Sequence, residues 1–283
     1  MAHPQIATFA RLAKENAVAK RLIYGQKTLL SRTMHDISYD PIHDEFFVTN
    51  PFSQSILAFR GAANGEEPPL RVIIGPKTRI QGSEYAGVDR LEVDPIHNEI
   101  FVPTLDSILV FDRMANGDVA PKRVLSNPDL QLRGGHMTIA VDPVNDLLIV
   151  GGASGTGARP RGGSFMTFKR TASGDEKPLT IVEGPKTGIL AGPSQMEVYS
   201  PNRLIVLAQQ GRQGKELLER EGGFLGVWNL SDNGDVPPRW VIGGPKSTLI
   251  RPRGVALDHK HKELITVDMR QNNVLTYYFP EMF

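Results

Sequence analysis

The chain has 283 residues, with 32 Lys and Arg against 31 Asp and Glu, a net charge of +1, and no cysteine. That balance excludes a globally basic nucleic-acid coat and a strongly acidic solvating chain. The lack of cysteine excludes a disulfide framework, a thiolate metal site and a cysteine nucleophile.

The 28 Gly and 21 Pro mark a folded chain rich in turns, below the roughly 25–30% combined content of disordered chains. Residues 1–10 lack the basic start and apolar stretch of a secretory signal. The expected location is therefore cytoplasmic as written, or exported where a signal has been removed. No apolar run approaches the ~18–20 residues of a spanning helix, so no membrane insertion is expected.

The N-terminal segment echoes a unit seen later in the chain. Phe9 lies 102 residues before Phe111, and Lys20-Arg-Leu-Ile23 lies 102 residues before Lys122-Arg-Val-Leu125. Its turn chemistry has been lost, with Lys14-Glu15 where later copies have Asn-Gly, and Ala19 where they have Pro. The alanines at 10, 13, 17 and 19, interleaved with Lys and Glu, make residues 8–19 a candidate helix, so residues 5–12 are read as an extra outer strand or a helix.

A five-fold repeat follows. Its first module reads Ile37-Ser-Tyr-Asp-Pro-Ile-His-Asp-Glu-Phe-Phe-Val48, then Leu91-Glu-Val-Asp-Pro-Ile-His-Asn-Glu-Ile-Phe-Val102, then Ile139-Ala-Val-Asp-Pro-Val-Asn-Asp-Leu-Leu-Ile-Val150. Weaker copies start at Glu197 and Val255. Anchored on Asp40, Asp94, Asp142, Ser200 and Asp258, the spacings are 54, 48, 58 and 58 residues. A second module runs Ser55–Phe59, Ser107–Phe111, Ser164–Phe168, Phe224–Trp228 and Asn273–Tyr277. In the first four copies a turn follows, at Asn64-Gly65, Asn116-Gly117, Ser173-Gly174 and Asn233-Gly234, then a proline and a short apolar piece.

Runs rich in Val, Ile and Phe with period two are strands. Asp-Pro followed by His or Asn is a turn, because Asp bonds its own backbone and Pro presets φ. Asn-Gly closes hairpins. Each repeat thus holds four strands, here a to d, whose sheet has two apolar faces that only neighbouring repeats cover. The expected fold is all-β, a β-propeller of five blades of four antiparallel strands, the last blade closed by an N-terminal strand. Six blades is the alternative. The whole chain, 1–283, is read as one domain. Residues 1–36 form the closing segment, and repeats start near 37, 91, 139, 197 and 255.

The chain resembles NHL-type and YVTN-type bacterial β-propellers in Phe47-Val-Thr-Asn50, in the Asp-Pro-x-His/Asn turns and in the recurrent Gly-Pro-Lys-Thr tails. The resemblance implies the fold. It leaves function open, since such repeats serve binding proteins, scaffolds and lactonase- or lyase-like enzymes, and fold does not determine activity.

Strand direction puts the b–c loops and the d-to-a connectors on one face. Two b–c insertions stand out there. Residues 151–163 contain Arg159 and Arg161, and residues 208–223 contain Arg212 and Lys215. Lys215 to Glu221 is read as a short helical turn. The Gly-Pro-Lys-Thr tails lack the spacing and the following helix of a phosphate loop and are read as structural turns.

Just before strand a the repeat symmetry breaks: His35-Asp36, Asp89-Arg90, His136-Met137, Gln195-Met196 and Arg253-Gly254, with Glu92 and Glu197 slightly deeper. A fixed scaffold with diversified entrances is the pattern of a site. The ligand-binding candidates are His35, Asp36, Asp89, Arg90, His136, Glu197, Arg253, Arg159, Arg161 and Arg212.

The expected function is a non-catalytic binding or protein-interaction module, with a polar ligand or a partner's loop at the axial mouth and no cofactor. The alternative is a metal-assisted hydrolase or lactonase-like enzyme at the same mouth. There a divalent ion on His35, Asp36, Asp89 and His136 would polarise a carbonyl or activate water. His43, His97 and His261 are read as turn residues, and Trp228 and Trp240 as core. No Gly-x-Ser-x-Gly elbow occurs, and basic residues are not interleaved with aromatics as in nucleic-acid binders.

Overall fold

A computed structural model describes residues 4–32, 34–80, 89–104, 106–126, 137–154, 162–190, 192–213 and 220–283. The fold is all-β, a five-bladed β-propeller of small antiparallel sheets. The chain forms two compact units, Met1–Val124 and Leu125–Phe283. No helix among the described residues is long and apolar enough to cross a membrane.

The first unit opens with β1 (Gln5–Thr8) and β2 (Arg21–Tyr24). Repeat 1 supplies β3 (Ile37–Asp40), β4 (Glu45–Asn50), β5 (Ser55–Arg60) and β6 (Arg71–Ile73). Repeat 2 supplies β7 (Glu92–Asp94), β8 (Glu99–Pro103), β9 (Ile108–Asp112) and β10 (Arg123–Leu125), which ends at the boundary.

In the second unit, repeat 3 supplies β11 (Thr138–Asp142), β12 (Leu147–Ser154), β13 (Gly162–Lys169) and β14 (Thr180–Glu183). Repeat 4 supplies β15 (Gln195–Tyr199), β16 (Leu204–Gln213), β17 (Arg220–Asn229) and β18 (Trp240–Gly243). Repeat 5 supplies β19 (Pro252–Asp258), β20 (Glu263–Asp268) and β21 (Asn273–Tyr278).

Repeats 1 to 4 each form a sheet in simple sequential order. Their a–b turns close as the Asp-Pro signal predicts. Asp40 Oδ1 accepts the N–H groups of Ile42 and His43 at 2.9 Å, and Asp94 Oδ1 those of Ile96 and His97 at the same distance. The histidines complete the turns, with His43, His97 and His261 each placing Nδ1 2.7 Å from Oδ2 of Asp40, Asp94 and Asp258. In repeat 4 the ladder pairs Tyr199 with Leu204, as it pairs Asp94 with Glu99. The anchor position therefore falls on Tyr199 rather than Ser200, and Gln195 and Glu197 occupy the places of Arg90 and Glu92.

Apolar faces meet between successive repeats. Phe47, Ile56 and Ala58 pack with Leu91, Val93 and Ile100 in the first unit. In the second, Ile149 and Phe165 pack with Met196, Leu207 and Trp228, while Val206 and Leu225 pack with Val255 and Leu264. Trp240 is half-buried against the latter group.

A polar latch adds to the seams between repeats 1 and 2 and between repeats 3 and 4, and the hairpin signal did not announce it. The side chain of the Asn in Asn-Gly accepts an N–H from strand d of the preceding repeat: Val72 N to Asn116 at 2.9 Å, and Ile181 N to Asn233 at 2.9 Å. The following acid caps the next turn, with Lys77 N donating to Asp118 and Lys186 N to Asp235 at 2.7 Å. Gly75 makes this approach workable: at φ +128°, a Cβ there would lie 2.6 Å from the Asp118 carboxyl.

The Gly-Pro-Lys-Thr tails are single 3-10 turns, as expected. The hydroxyls of Thr78 and Thr187 donate to the carbonyls of Gly75 and Gly184 at 2.6 and 2.7 Å.

Residues 5–12 contribute a strand, β1, rather than a helix. Its register with β2, Ile6 opposite Ile23, reproduces Ile56 opposite Ile73, so the pair are strands c and d of a sheet. Repeat 5 has strands a to c in hydrogen-bonded order. β2 pairs with β1.

The two b–c insertions are hairpin arms. The β12–β13 ladder runs out to Ser154–Gly162 and the β16–β17 ladder to Gln213–Arg220. The helical turn expected at 215–221 falls mostly outside the described residues, and its last two residues belong to β17.

Candidate functional site

The entrances to strand a carry the candidate residues, and each strand end is fixed by the turn chemistry and the apolar seams below it. In the first unit, His35 and Asp36 lead into β3, and Asp89 and Arg90 lead toward β7. The structure brings these four together as a clasp between repeats 1 and 2.

His35 Nδ1 bonds Asp89 Oδ1, and Arg90 Nη1 donates to the His35 carbonyl at 2.6 Å. Asp36 accepts the N–H of Ile37 and, across the repeat boundary, that of Leu91, both at 3.1 Å. Asp89 and Arg90 are buried. The His35 side chain stays 34% exposed. One strand pair further in, Ser38 Oγ donates to Glu92 Oε1 at 2.8 Å.

Asp36 is the electrostatically unusual member. Burial pushes its carboxyl up to about 6 from 3.8, and the Asp89 charge adds to the rise; Arg90 and the N–H groups of Leu91 and Ile37 oppose it without cancelling it. A shift of this kind arises both at functional sites and in structural ion-pair networks.

The second unit repeats one element of the clasp with different chemistry. Gln195 Oε1 accepts Val255 N at 2.9 Å, as Asp36 accepts Leu91 N. Gly254 permits this reach, because a Cβ there would lie 3.0 Å from Gln195 Oε1 and 2.8 Å from Val267. Glu197 sits on β15 in the register place of Glu92. Arg253, on β19, directs Nη1 to Met269 Sδ at 3.6 Å. His136, Arg159 and Arg161 lie outside the described residues; Arg212 is on β16, its side chain outside them.

For a metal, three of the four candidate ligands are described. His35 Nδ1 is engaged by Asp89, and both Asp36 oxygens accept backbone N–H groups. Among the described residues, the trio whose donor atoms all approach within 4.8 Å is Asp258, His261 and Glu263. Its Asp–His pair has the geometry of the turns at Asp40 and Asp94.

Sequence reasoning missed two features. One is the use of Asp36 and Gln195 as acceptors for the next repeat's N–H, which residue identity alone does not announce. The other is a buried ion network, for which a signal existed: a Glu five residues after the turn Asp, and an Arg in strand d. Glu45 accepts from Arg71 at 3.1 Å and from Arg113 of repeat 2 at 2.6 Å. Glu99 accepts from Arg123 at 2.7 Å. Burial pushes the Glu99 carboxyl up, but Arg123 and Lys122 outweigh it and hold it below the ordinary range.

A scan of protein-family models matches none, and a search of the curated proteins finds no relative.

Proposed function

We propose that this β-propeller, of NHL- or YVTN-like repeat type, is a non-catalytic binding module. Its ligand is a protein or a small polar molecule, engaged at the strand-a entrances through the His35–Asp36–Asp89–Arg90 clasp. One observation carries the reading: an acid, Asp36, bonds the Leu91 N–H across the repeat boundary where a neutral amide would serve without the desolvation cost; burial pushes its carboxyl up to about 6. In the second unit Gln195 makes the equivalent bond as a neutral group. An ionised Asp36 beside a half-exposed imidazole suits a ligand offering N–H donors or a positive charge.

The test is a thermal-shift screen at pH 7.5 with amines, guanidino compounds and small carboxylates, against wild type and Asp36→Asn. At about a hundredfold excess over Kd, a ligand specific for the folded state adds about 2.7 kcal/mol, a rise of roughly 5–10 °C in Tm. The expected result is such a rise from an amine or guanidino compound, lost in Asp36→Asn. No rise with any of them, or an equal rise in the variant, contradicts the reading. Elemental analysis of the same sample separates the alternative: a stoichiometric divalent ion, lost on His35→Ala, points to metal-assisted hydrolysis.

A further inference from the structure

The β1–β2 sheet consists of strands c and d only, and a groove of about 380 Å3 runs beside β1 against the first repeat. Ile6, Ile23, Ile37 and Phe46 give it an apolar lining, and Arg21 and Asp44 make it polar at one end. We propose that this groove is a docking site for an extended segment of a partner protein, which adds as a strand to the open edge of β1 and places a glutamate against Arg21. The proposal is independent of the clasp.

Three observations define the occupant. The first is the charge. In repeats 1 and 2 the strand beside c begins with a glutamate, Glu45 or Glu99, that binds the strand-d arginine, Arg71 or Arg123. Arg21 is the same position of β2, since Thr8 faces Arg21 as Ala58 faces Arg71. Among the described residues it has no carboxylate partner: its Nη2 donates to the Gly61 carbonyl at 3.1 Å and its buried Nε has none. Asp44, at the same end, is held instead by the Tyr39 hydroxyl at 2.8 Å.

The second is the uncovered apolar surface. Ile37 and Tyr39 on β3 are 49% and 56% exposed, whereas their register counterparts in repeat 2, Leu91 and Val93, are 1% and 5% exposed beneath repeat 1. The third is the backbone. Within the sheet β1 pairs on one side only, and an open edge recruits an extended chain through main-chain hydrogen bonds, with alternate side chains giving specificity. The ligand class is therefore an extended segment with a glutamate followed by three or more β-branched or aromatic residues. The second strands of repeats 1 and 2, β4 and β8, have this pattern, but each is paired on both edges.

The probe is a fluorescein-labelled peptide Asn-Glu-Ile-Phe-Val-Pro, the sequence of residues 98–103, with a lysine tail for solubility. It is titrated with the full chain and followed by anisotropy. Saturable binding is expected, weakened at least tenfold by Arg21→Glu and restored in that variant by a peptide carrying Lys for Glu. Ile37→Asp, at an exposed position, is expected to weaken binding without lowering Tm, which separates loss of the groove from loss of the fold. No binding, equal binding to Arg21→Glu, or failure of the charge-swapped pair to recover would overturn the proposal. So would a concentration-dependent dimer of the free chain abolished by Arg21→Glu, which would give the groove to a second copy.

Discussion

Replacing Glu45 by alanine is expected to destabilise the protein by about 3–5 kcal/mol, the usual cost of breaking a buried ion pair from one side. Glu45 is the shared acceptor for Arg71 of its own sheet and Arg113 of the next repeat, and all three side chains are largely removed from solvent. Without it, Arg71 loses its carboxylate. Arg113 keeps only the Asn98 side chain at 2.8 Å and the more distant Asp40 at 3.7 Å. Glu45→Gln keeps the acceptor without the charge and is expected to lose less. Denaturant unfolding measures both. A loss below about 1 kcal/mol for the alanine variant would show that water reaches the guanidinium groups and that the network does not join repeats 1 and 2.

A loss of similar size, about 3–5 kcal/mol, is expected for Trp228→Ala, through a different mechanism: a cavity that a rigid sheet cannot close. Trp228 is fully buried in the seam between repeats 3 and 4. It meets Phe165 edge-on at 5.8 Å between ring centres, and its Nε1 donates to the Val236 carbonyl at 3.2 Å. Trp228→Phe retains most of the volume and is expected to recover more than half the loss. Equal losses for the two variants would assign the effect to the indole hydrogen bond rather than to packing.

The repeat architecture was legible because it rests on local rules. Alternating apolar runs give strands, Asp-Pro-x-His turns close on the Asp carboxylate, and Trp228 falls where a core residue should. What escaped were contacts between repeats. The Asn116 and Asn233 side chains read as turn formers, yet they also hold the preceding repeat's strand d, because a turn that projects toward a neighbour has an acceptor to spare. The copy at Glu197 was misaligned by one residue because Ser200-Pro201 imitates the Asp-Pro pair while the ladder follows Tyr199. The insertions looked like loops because glycine and charge obscure period two; paired as arms they continue their sheets.

Of the candidate residues, His35, Asp36, Asp89 and Arg90 were found by their departure from the repeat. That His35 would meet Asp89, and Asp36 the Leu91 N–H, depends on how two repeats pack. The groove beside β1 was invisible for a related reason: it arises from strands that a sheet lacks, and a sequence displays only the strands it has.

The functional reading turns on the charge of Asp36. A carboxyl whose pKa is raised by folding stabilises the folded state fully only below its unfolded value, near 3.8, and that contribution is lost as pH rises through about 6. The loss has an upper bound of roughly 3 kcal/mol, at about 1.4 kcal/mol per pH unit of displacement. The direct measurement is the unfolding free energy of wild type and Asp36→Asn at pH 7.5 and pH 5. The variant is predicted to be more stable by about 1–2 kcal/mol at pH 7.5, with the gap narrowing by about 1 kcal/mol at pH 5. A variant less stable than wild type at pH 7.5, or a gap that does not change with pH, would show Asp36 to be a structural acceptor and remove the basis for a binding site at the clasp.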